Sequence, residues 1–401
     1  MNILNISGLR EQPGDIFRFN PDRELIPFDR LPESEKATLD DTPDIFGVVR
    51  GREGSGMARV VGCDAALLIY ALTEPQVLPA YVTRSSRANV LKEELSKLLL
   101  DGVLEVQDGD RFISGSALLP RLSSEVEPRT EQTAPSYVAR VTKRAVGDAA
   151  GKVGELSPAA LSDWLYMYHR LPLTARQFRL WGDTETVLHR LGCSPELDLG
   201  KQLARQWRMG RRTYETDWLQ WSRRDVEAPR SSEAVFKLYI SPMPDALPET
   251  FARLVEVLPD TRAFYFKTAA DAASVLRPDK LMVYFADFES LYTAAQLLTE
   301  LLHGLPAHGV PLTCEIGLDG LLSWGFDPPR ETSGPGTSRE GWRVWLATRI
   351  AMALSVAAEQ PDPDRPLWQC ALDRLRIEGV DVDTWKPSLS QWQKPLEEIY
   401  R

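Results

Sequence analysis

Residues 235–285 read VFKLYISPMPDALPETFARLVEVLPDTRAFYFKTAADAASVLRPDKLMVYF, and the reading of this stretch decides the fold. Three runs rich in Val, Ile, Tyr and Phe, at Val235–Ser241, Arg262–Phe266 and Lys280–Phe285, predict strands punctuated by Pro and Asp. The amphipathic segment Ala246–Leu258 predicts a helix joining the first two. Alternation along a strand puts Lys237, Tyr239 and Ser241 on one face. Lys237, Lys267, Arg277 and Lys280 sit in or beside the runs, in a chain of net charge −10. Four cations at strand ends are what an anion site needs. Read separately, they are cations that solvate a surface.

Working outward, composition sets bounds. A chain of 401 residues, 43 % hydrophobic and 26 % charged, has room for two or three globular domains. A pI near 5.2 argues against general binding to nucleic acid or to an anionic membrane. The N-terminus MNILNISGLREQPGD lacks a basic segment followed by an apolar core, so no signal peptide is expected. No apolar run approaches the roughly 18 residues that span a bilayer. Cys63, Cys193, Cys314 and Cys370 are far apart and form no C-x-x-C pair. Reduced, buried thiols in a cytoplasmic protein without a metal site are expected.

The chain divides into five stretches of an α+β protein. Residues 1–45 predict an extended arm. Residues 46–120 predict a winged-helix-like domain. Phe46–Arg50 and Ala58–Gly62 form strands around a turn with Gly51, Gly54 and Gly56. Those glycines do not make a phosphate loop, because no Lys-Ser/Thr and no helix follows. Helices at Cys63–Leu72 and Asn89–Leu100 precede a hairpin with Asp108-Gly109 at its turn. The second helix carries Lys92, Glu93, Glu94 and Lys97, no net charge, which counts against DNA recognition. Residues 121–135 predict a linker. Residues 136–228 predict a helical region with Ser157 capping a helix, Trp164, Tyr168 and Trp207 in the core, and His169 and His189 without catalytic work. Its Arg211-Arg212 and Arg223-Arg224 pairs read as a solvated helix face or as contacts to an acidic partner. Residues 229–401 predict an α+β domain with a mixed or antiparallel sheet, linked by Pro229 and Ser231-Ser232. Asp287 caps a helix, strands at LTCEI and LLSWGF follow, and a mobile Gly/Pro/Ser loop precedes a helix at Trp342–Ala358. The Pro- and Trp-rich tail from Pro361 packs back on the domain.

The pattern K-x-Y-I-S, then F-K, then R-P-D-K-x-x-x-Y resembles the phosphothreonine lyases. These include the secreted-effector lyases, with their Hop-type branch, and the lyase parts of class III and class V lanthipeptide synthetases. The resemblance covers the C-terminal part of the chain and implies a lyase-like domain that β-eliminates phosphate from phosphoserine or phosphothreonine. It implies that Lys267 is the general base, and that Lys237 and Arg277 bind phosphate. Lys280 joins them, and the segment SREGWRVW supplies Arg343 or Arg339. Tyr284 and Ser241 are supporting donors. No cofactor and no metal is implied.

Such an elimination needs neutralised phosphate, a base for the α-proton, and an acid or strong donor at the leaving group. Lys267, among Phe264, Tyr265 and Phe266, is expected to have a lowered pKa. Where the effector lyases carry a histidine two residues after the first lysine, this chain has Tyr239, a weaker acid with a reference pKa of about 10. Tyr239 serves, or His308 arrives from elsewhere, or cations suffice, or the domain is inactive. The chain lacks a kinase Gly-rich loop, H-R-D and D-F-G. The resemblance therefore points to a precursor peptide as substrate and a separate kinase-like partner, with the winged-helix-like domain holding the leader or serving structure only. A non-catalytic peptide-recognition or scaffold subunit is the alternative. A DNA-binding regulator that senses a phosphorylated ligand is a third reading, disfavoured by the charge.

Overall fold

The structure, a computed structural model, describes residues 14–37, 39, 45–52, 58–84, 88–121, 135–210, 218–229, 235–317, 319–328, 341–359 and 361–387. The first unit begins with strands β1 (Phe17–Phe19) and β2 (Arg23–Pro27), helix α1 (Glu33–Lys36), and strands β3 (Ile45–Gly51) and β4 (Arg59–Gly62). Helices α2 (Cys63–Ala71), α3 (Ala80–Arg84) and α4 (Ala88–Leu100) lead to the hairpin β5 (Leu104–Asp108) and β6 (Arg111–Ile113). Two three-stranded sheets result, ordered β2-β3-β4 and β1-β5-β6. Of the segment expected as an extended arm, β1 and β2 are therefore woven one into each of them. In the hairpin, Asp108 faces Arg111, so Gly109 and Asp110 make the turn, and Gly109 takes φ +60°. Gly54 and Gly56 lie outside the described residues.

The second unit opens with helices α5 (Tyr137–Ala150), α6 (Pro158–Tyr166), α7 (Ala175–Trp181), α8 (Thr184–Arg190) and α9 (Asp198–Gln206). Ser136, Ser157, Thr174 and Asp183 cap the first four through their side-chain oxygens. Strands β7 (Trp207–Met209), β8 (Trp218–Arg223) and β9 (Phe236–Ile240) follow, then α10 (Leu247–Val257), β10 (Tyr265–Ala269), α11 (Ala272–Val275), β11 (Leu281–Phe285) and α12 (Phe288–Leu301). Strands β12 (Cys314–Ile316) and β13 (Leu322–Phe326) and helices α13 (Trp342–Glu359) and α14 (Leu367–Ile377) complete it. The seven strands form one antiparallel sheet, ordered β12-β13-β9-β11-β10-β8-β7.

Period-two alternation gives this sheet two unlike faces. Phe236, Leu238, Ile240, Phe266, Leu281, Val283 and Phe285 are buried together on one. Phe251 of α10 packs on Phe266 and Trp221, and Phe288 of α12 packs on Phe236. Each large side chain buried there contributes about 1.5–3 kcal/mol. The opposite face shows rows across strands: Ser323, Tyr239, Met282, Lys267 and Gln220 in one, Gly325, Lys237, Tyr284, Tyr265 and Ser222 in the next. Gly325 leaves room for the start of α13, since a Cβ there would come 2.7 Å from Trp342.

Several expectations change. The segment read as helical through residue 228 leaves helix at Gln206 and supplies β7 and β8. Arg223 consequently lies on a strand, and its guanidinium holds the carbonyls of Leu258 and Thr261. Arg211 and Arg212 lie outside the described residues, as do Ser231 and Ser232. The hydrophobic cluster runs unbroken from Ala139 to Trp385 across residue 229. The tail contains α14, whose Arg374 donates to the carbonyl of Leu100 at 3.0 Å and pairs with Asp101, joining the two units. Cys63 is exposed, while Cys193, Cys314 and Cys370 are buried. Among the described residues no helix is long and apolar enough to cross a membrane.

Candidate active site

The second face of the large sheet carries the charges. Strand alternation turns Lys237 and Tyr239 toward it from β9 and Lys267 from β10. The turn between α11 and β11 adds Arg277 and Asp279 at its edge. Tyr166 ends α6, Arg343 lies in the first turn of α13, Trp218 begins β8, and Asp327 follows β13. Lys237 and Lys267 lie two strands apart, roughly 10 Å from strand to strand, and in adjacent rows of the same face.

Lys267 is half-buried, and among the described residues its ammonium has no hydrogen-bond or ion-pair partner. Its Nζ lies 4.2 Å from the centre of the Trp218 ring. Burial, chiefly, and the like charges of Lys237 and Arg277 lower its pKa to about 8, against the pull of Asp279 and Asp327. Arg277 lies over the same indole, 5.0 Å from its centre. Its Nε and Nη2 grip Asp279 at 2.9 and 3.0 Å, and Nη2 also donates to the Tyr166 hydroxyl at 3.1 Å. Nη1 has no partner among the described residues. Lys237 pairs with Asp327, and its Nζ lies 5.5 Å from the centre of the Tyr284 ring.

Asp279 organises the cluster. It is 2 % exposed, yet burial, which would raise its pKa, loses to Arg343 and Arg277, which hold it well below the usual carboxylate range. Burial would likewise lower the Arg277 pKa, and the bidentate Asp279 contact more than reverses this. Four cations, Lys237, Lys267, Arg277 and Arg343, face two carboxylates, Asp279 and Asp327. A net positive cluster inside an acidic protein results. Tyr239 is buried against Met282 and Val310, and burial pushes its hydroxyl well above the ordinary tyrosine pKa, so it stays protonated. Burial does the same to Tyr284.

Three residues expected to bind or support the anion have other work. Arg343 is 2 % exposed and fully engaged, donating to the carbonyls of Pro311 and Tyr166 and to Asp279 at 3.0, 2.7 and 2.7 Å. It positions Asp279. Lys280 is fully buried, and its Nζ contacts the Pro242 carbonyl and His308 Nδ1, both at 2.9 Å. Ser241 is spent on the Pro278 carbonyl at 2.6 Å. His308 does not enter the cluster, because its other nitrogen bonds the His169 carbonyl at 2.7 Å. Burial first, then Lys280, lowers its pKa to about 3. Arg339 lies outside the described residues. Asp279, Tyr166, Trp218 and Asp327 escaped the sequence reading. Asp279 alone had a signal there, a carboxylate inside R-P-D-K between two assigned cations.

No protein-family model and no curated protein matches the chain. Solved structures give low-identity neighbours. An effector protein from Pseudomonas syringae pv. tomato strain DC3000 is 15 % identical, with a TM-score of 0.39 over 63 % of this chain and 98 % of its own. A type III effector and phosphothreonine lyase from Shigella flexneri is 11 % identical, with a TM-score of 0.29 over 53 % of this chain and 98 % of its own. A phosphothreonine lyase that is an effector protein from Salmonella is 13 % identical, with a TM-score of 0.26 over 47 % and 89 %. At such values no residue role is carried over from them.

Proposed function

We propose that the chain is a phosphoserine/phosphothreonine lyase. The observation that carries this reading is Lys267: a half-buried amine without a partner among the described residues, with a pKa lowered to about 8, beside Lys237 and Arg277. A structural lysine is paired or solvated. A base must be neutral, and here it borders the cations that would hold a dianion.

In the proposed reaction, neutral Lys267 takes the α-proton and the Cα–H pair becomes the Cα=Cβ bond. The Cβ–O bond breaks and its electrons leave with phosphate. Lys237 and the open side of Arg277 neutralise that charge. Protonated Tyr239 donates to the leaving oxygen, with Tyr284 supporting, and Arg343 with Asp279 holds Arg277 in place. The products are dehydroalanine or dehydrobutyrine. The substrate would be a ribosomally made precursor peptide phosphorylated by a separate kinase in the cytoplasm. The N-terminal unit, read as winged-helix-like, would hold its leader against the β6 edge.

The test is mass spectrometry of phosphoserine and phosphothreonine peptides incubated with the protein and with Lys267→Ala. Loss of phosphoric acid with the wild type only is the expected result. Recovery of plain serine or threonine would mean phosphate hydrolysis and would sink the reading. Unchanged peptide, even with full precursor and kinase, would sink it too. That last outcome would favour a non-catalytic recognition subunit, a reading motivated by Tyr239, a poor proton donor at its raised pKa.

A further inference from the structure

The reading above leaves open what lies beside the phosphorylated residue. The segment from Tyr166 to Gly182 forms the wall on the Arg277 side. Tyr166 bonds Arg277 directly. The Leu171 amide donates to the Leu276 carbonyl at 3.0 Å, next in chain to Arg277, and Arg170 Nη2 donates to the Ala273 carbonyl at 3.0 Å. At the far end the Ala272 amide donates to the Gly182 carbonyl at 3.2 Å. The wall is thus pinned to α11 at both ends.

Its outer surface is unusual in composition. Leu173 is 53 % exposed and Phe178 61 % exposed. Arg176 and Arg179 of α7 are exposed beside them. From Met167 to Gly182 the chain has three arginines and no carboxylate, although the protein has 57 acidic residues. The apolar exposure does not come from a loose helix: Thr174 caps α7 and Trp181 anchors it in the core with no exposure. Of the nearby acids, Asp245 forms an exposed pair with Arg176 at 3.3 Å, a contact that a ligand carboxylate exchanges at little cost. Asp183 faces Thr186, and Glu185 lies beyond on α8.

We infer that the strip Leu173–Arg179 docks acidic and apolar side chains that flank the phosphorylated residue of the substrate peptide. This rests on the lyase reading. An extended peptide advances about 3.3 Å per residue. With its phosphate at Arg277, a peptide running along the wall from the Leu171–Leu276 contact toward Gly182 would carry its flanking residues over the strip. Carboxylates there meet Arg176 and Arg179, and Leu- or Phe-like side chains cover Leu173 and Phe178. The site therefore selects a peptide, and a free phosphoamino acid would miss the strip.

The experiment compares two fluorescent phosphothreonine peptides, one flanked by Glu and Leu, the other by Gly and Ser. Anisotropy and elimination are both measured with wild type, Arg176→Glu/Arg179→Glu, and Phe178→Ser. Tighter binding of the acidic peptide, about tenfold weakened by the charge reversal, with KM raised and kcat unchanged, is expected. Equal binding of the two peptides, or binding that ignores the variants, overturns the docking strip; elimination from both peptides would then leave the lyase standing. The expected binding preference without elimination supports the strip and sinks the lyase. An oligonucleotide that competes as well as the acidic peptide shows a generic polyanion surface and overturns the proposal.

Discussion

Two lysines, half-buried Lys267 and fully buried Lys280, lie one row apart on neighbouring strands of one face of the large sheet, at the two ends of a single patch, and their surroundings differ. At one end Lys267 has an indole on one side and like charges nearby, with no partner among the described residues. At the other end Lys280 is clamped between the Pro242 carbonyl and His308. Burial, the leading cause for both, lowers their pKa values to about 8 and about 7, and Asp279 opposes the shift at each. A depressed lysine pKa therefore does not mark a base. What separates the two ends is whether the nitrogen has been given a partner. One amine is left able to take a proton, and the other ties the Pro242 turn to the His169 segment.

The largest expected effect falls on the Lys267 end. Lys267→Ala should cut elimination by roughly 10²–10⁴-fold, the usual contribution of a positioned base. In the wild type, kcat/KM should rise with pH and level off above about 8, because only neutral Lys267 accepts a proton. Asp279 is the group both ends feel, so removing it disturbs both. Asp279→Asn leaves Arg277 and Arg343 short of a counter-charge and should cost about 3–5 kcal/mol in denaturant unfolding. It should also move the pH–rate profile below that of the wild type, since the pull raising the Lys267 pKa is gone.

How far the sequence reached follows the same division. Alternation in FKLYI and LMVYF made the strands legible, and with them the shared face of Lys237 and Tyr239. The Trp-rich alternation of β7 and β8 was hidden because a helical run, KQLARQ, leads into it without a break signal. The helix α14 was masked by the prolines that precede it, Pro361, Pro363 and Pro366, although Leu367, Cys370, Ala371 and Leu375 keep helical spacing. The site was legible in part, because a cation near a strand end looks the same whether it is open or spent. Lys280 and Arg343 are distinguished from Lys267 only by partners that are distant in sequence. The Arg277–Tyr166 contact spans 111 residues.

The Lys280 end makes its own prediction in acid. His308 is lowered to about 3 in the fold, against about 6.5 unfolded. Between those values the unfolded chain binds a proton that the folded chain refuses. Stability is full above about pH 6.5 and falls as pH drops toward 3, by about 1.4 kcal/mol per pH unit from this group. His308→Gln should flatten that limb in unfolding measured from pH 7 to 4. An unchanged slope would mean that the histidine is not held neutral.

The smallest effect gives the sharpest contrast. Lys267→Met keeps most of the side-chain volume and removes a desolvated ammonium that the Trp218 ring and the pull of Asp279 and Asp327 compensate only in part. It should raise unfolding stability by about 1 kcal/mol while abolishing elimination, the trade expected when a charge is kept for chemistry. The gain should shrink between about pH 8 and 10.5, because the wild-type lysine, lowered to about 8, discharges in the fold before it does in the unfolded chain. Lys280→Met should do the reverse. It strips the Pro242 carbonyl and His308 Nδ1 of their shared donor and should cost about 1–3 kcal/mol. If both substitutions destabilise, Lys267 has a partner that the free protein needs, and the distinction between the two lysines fails.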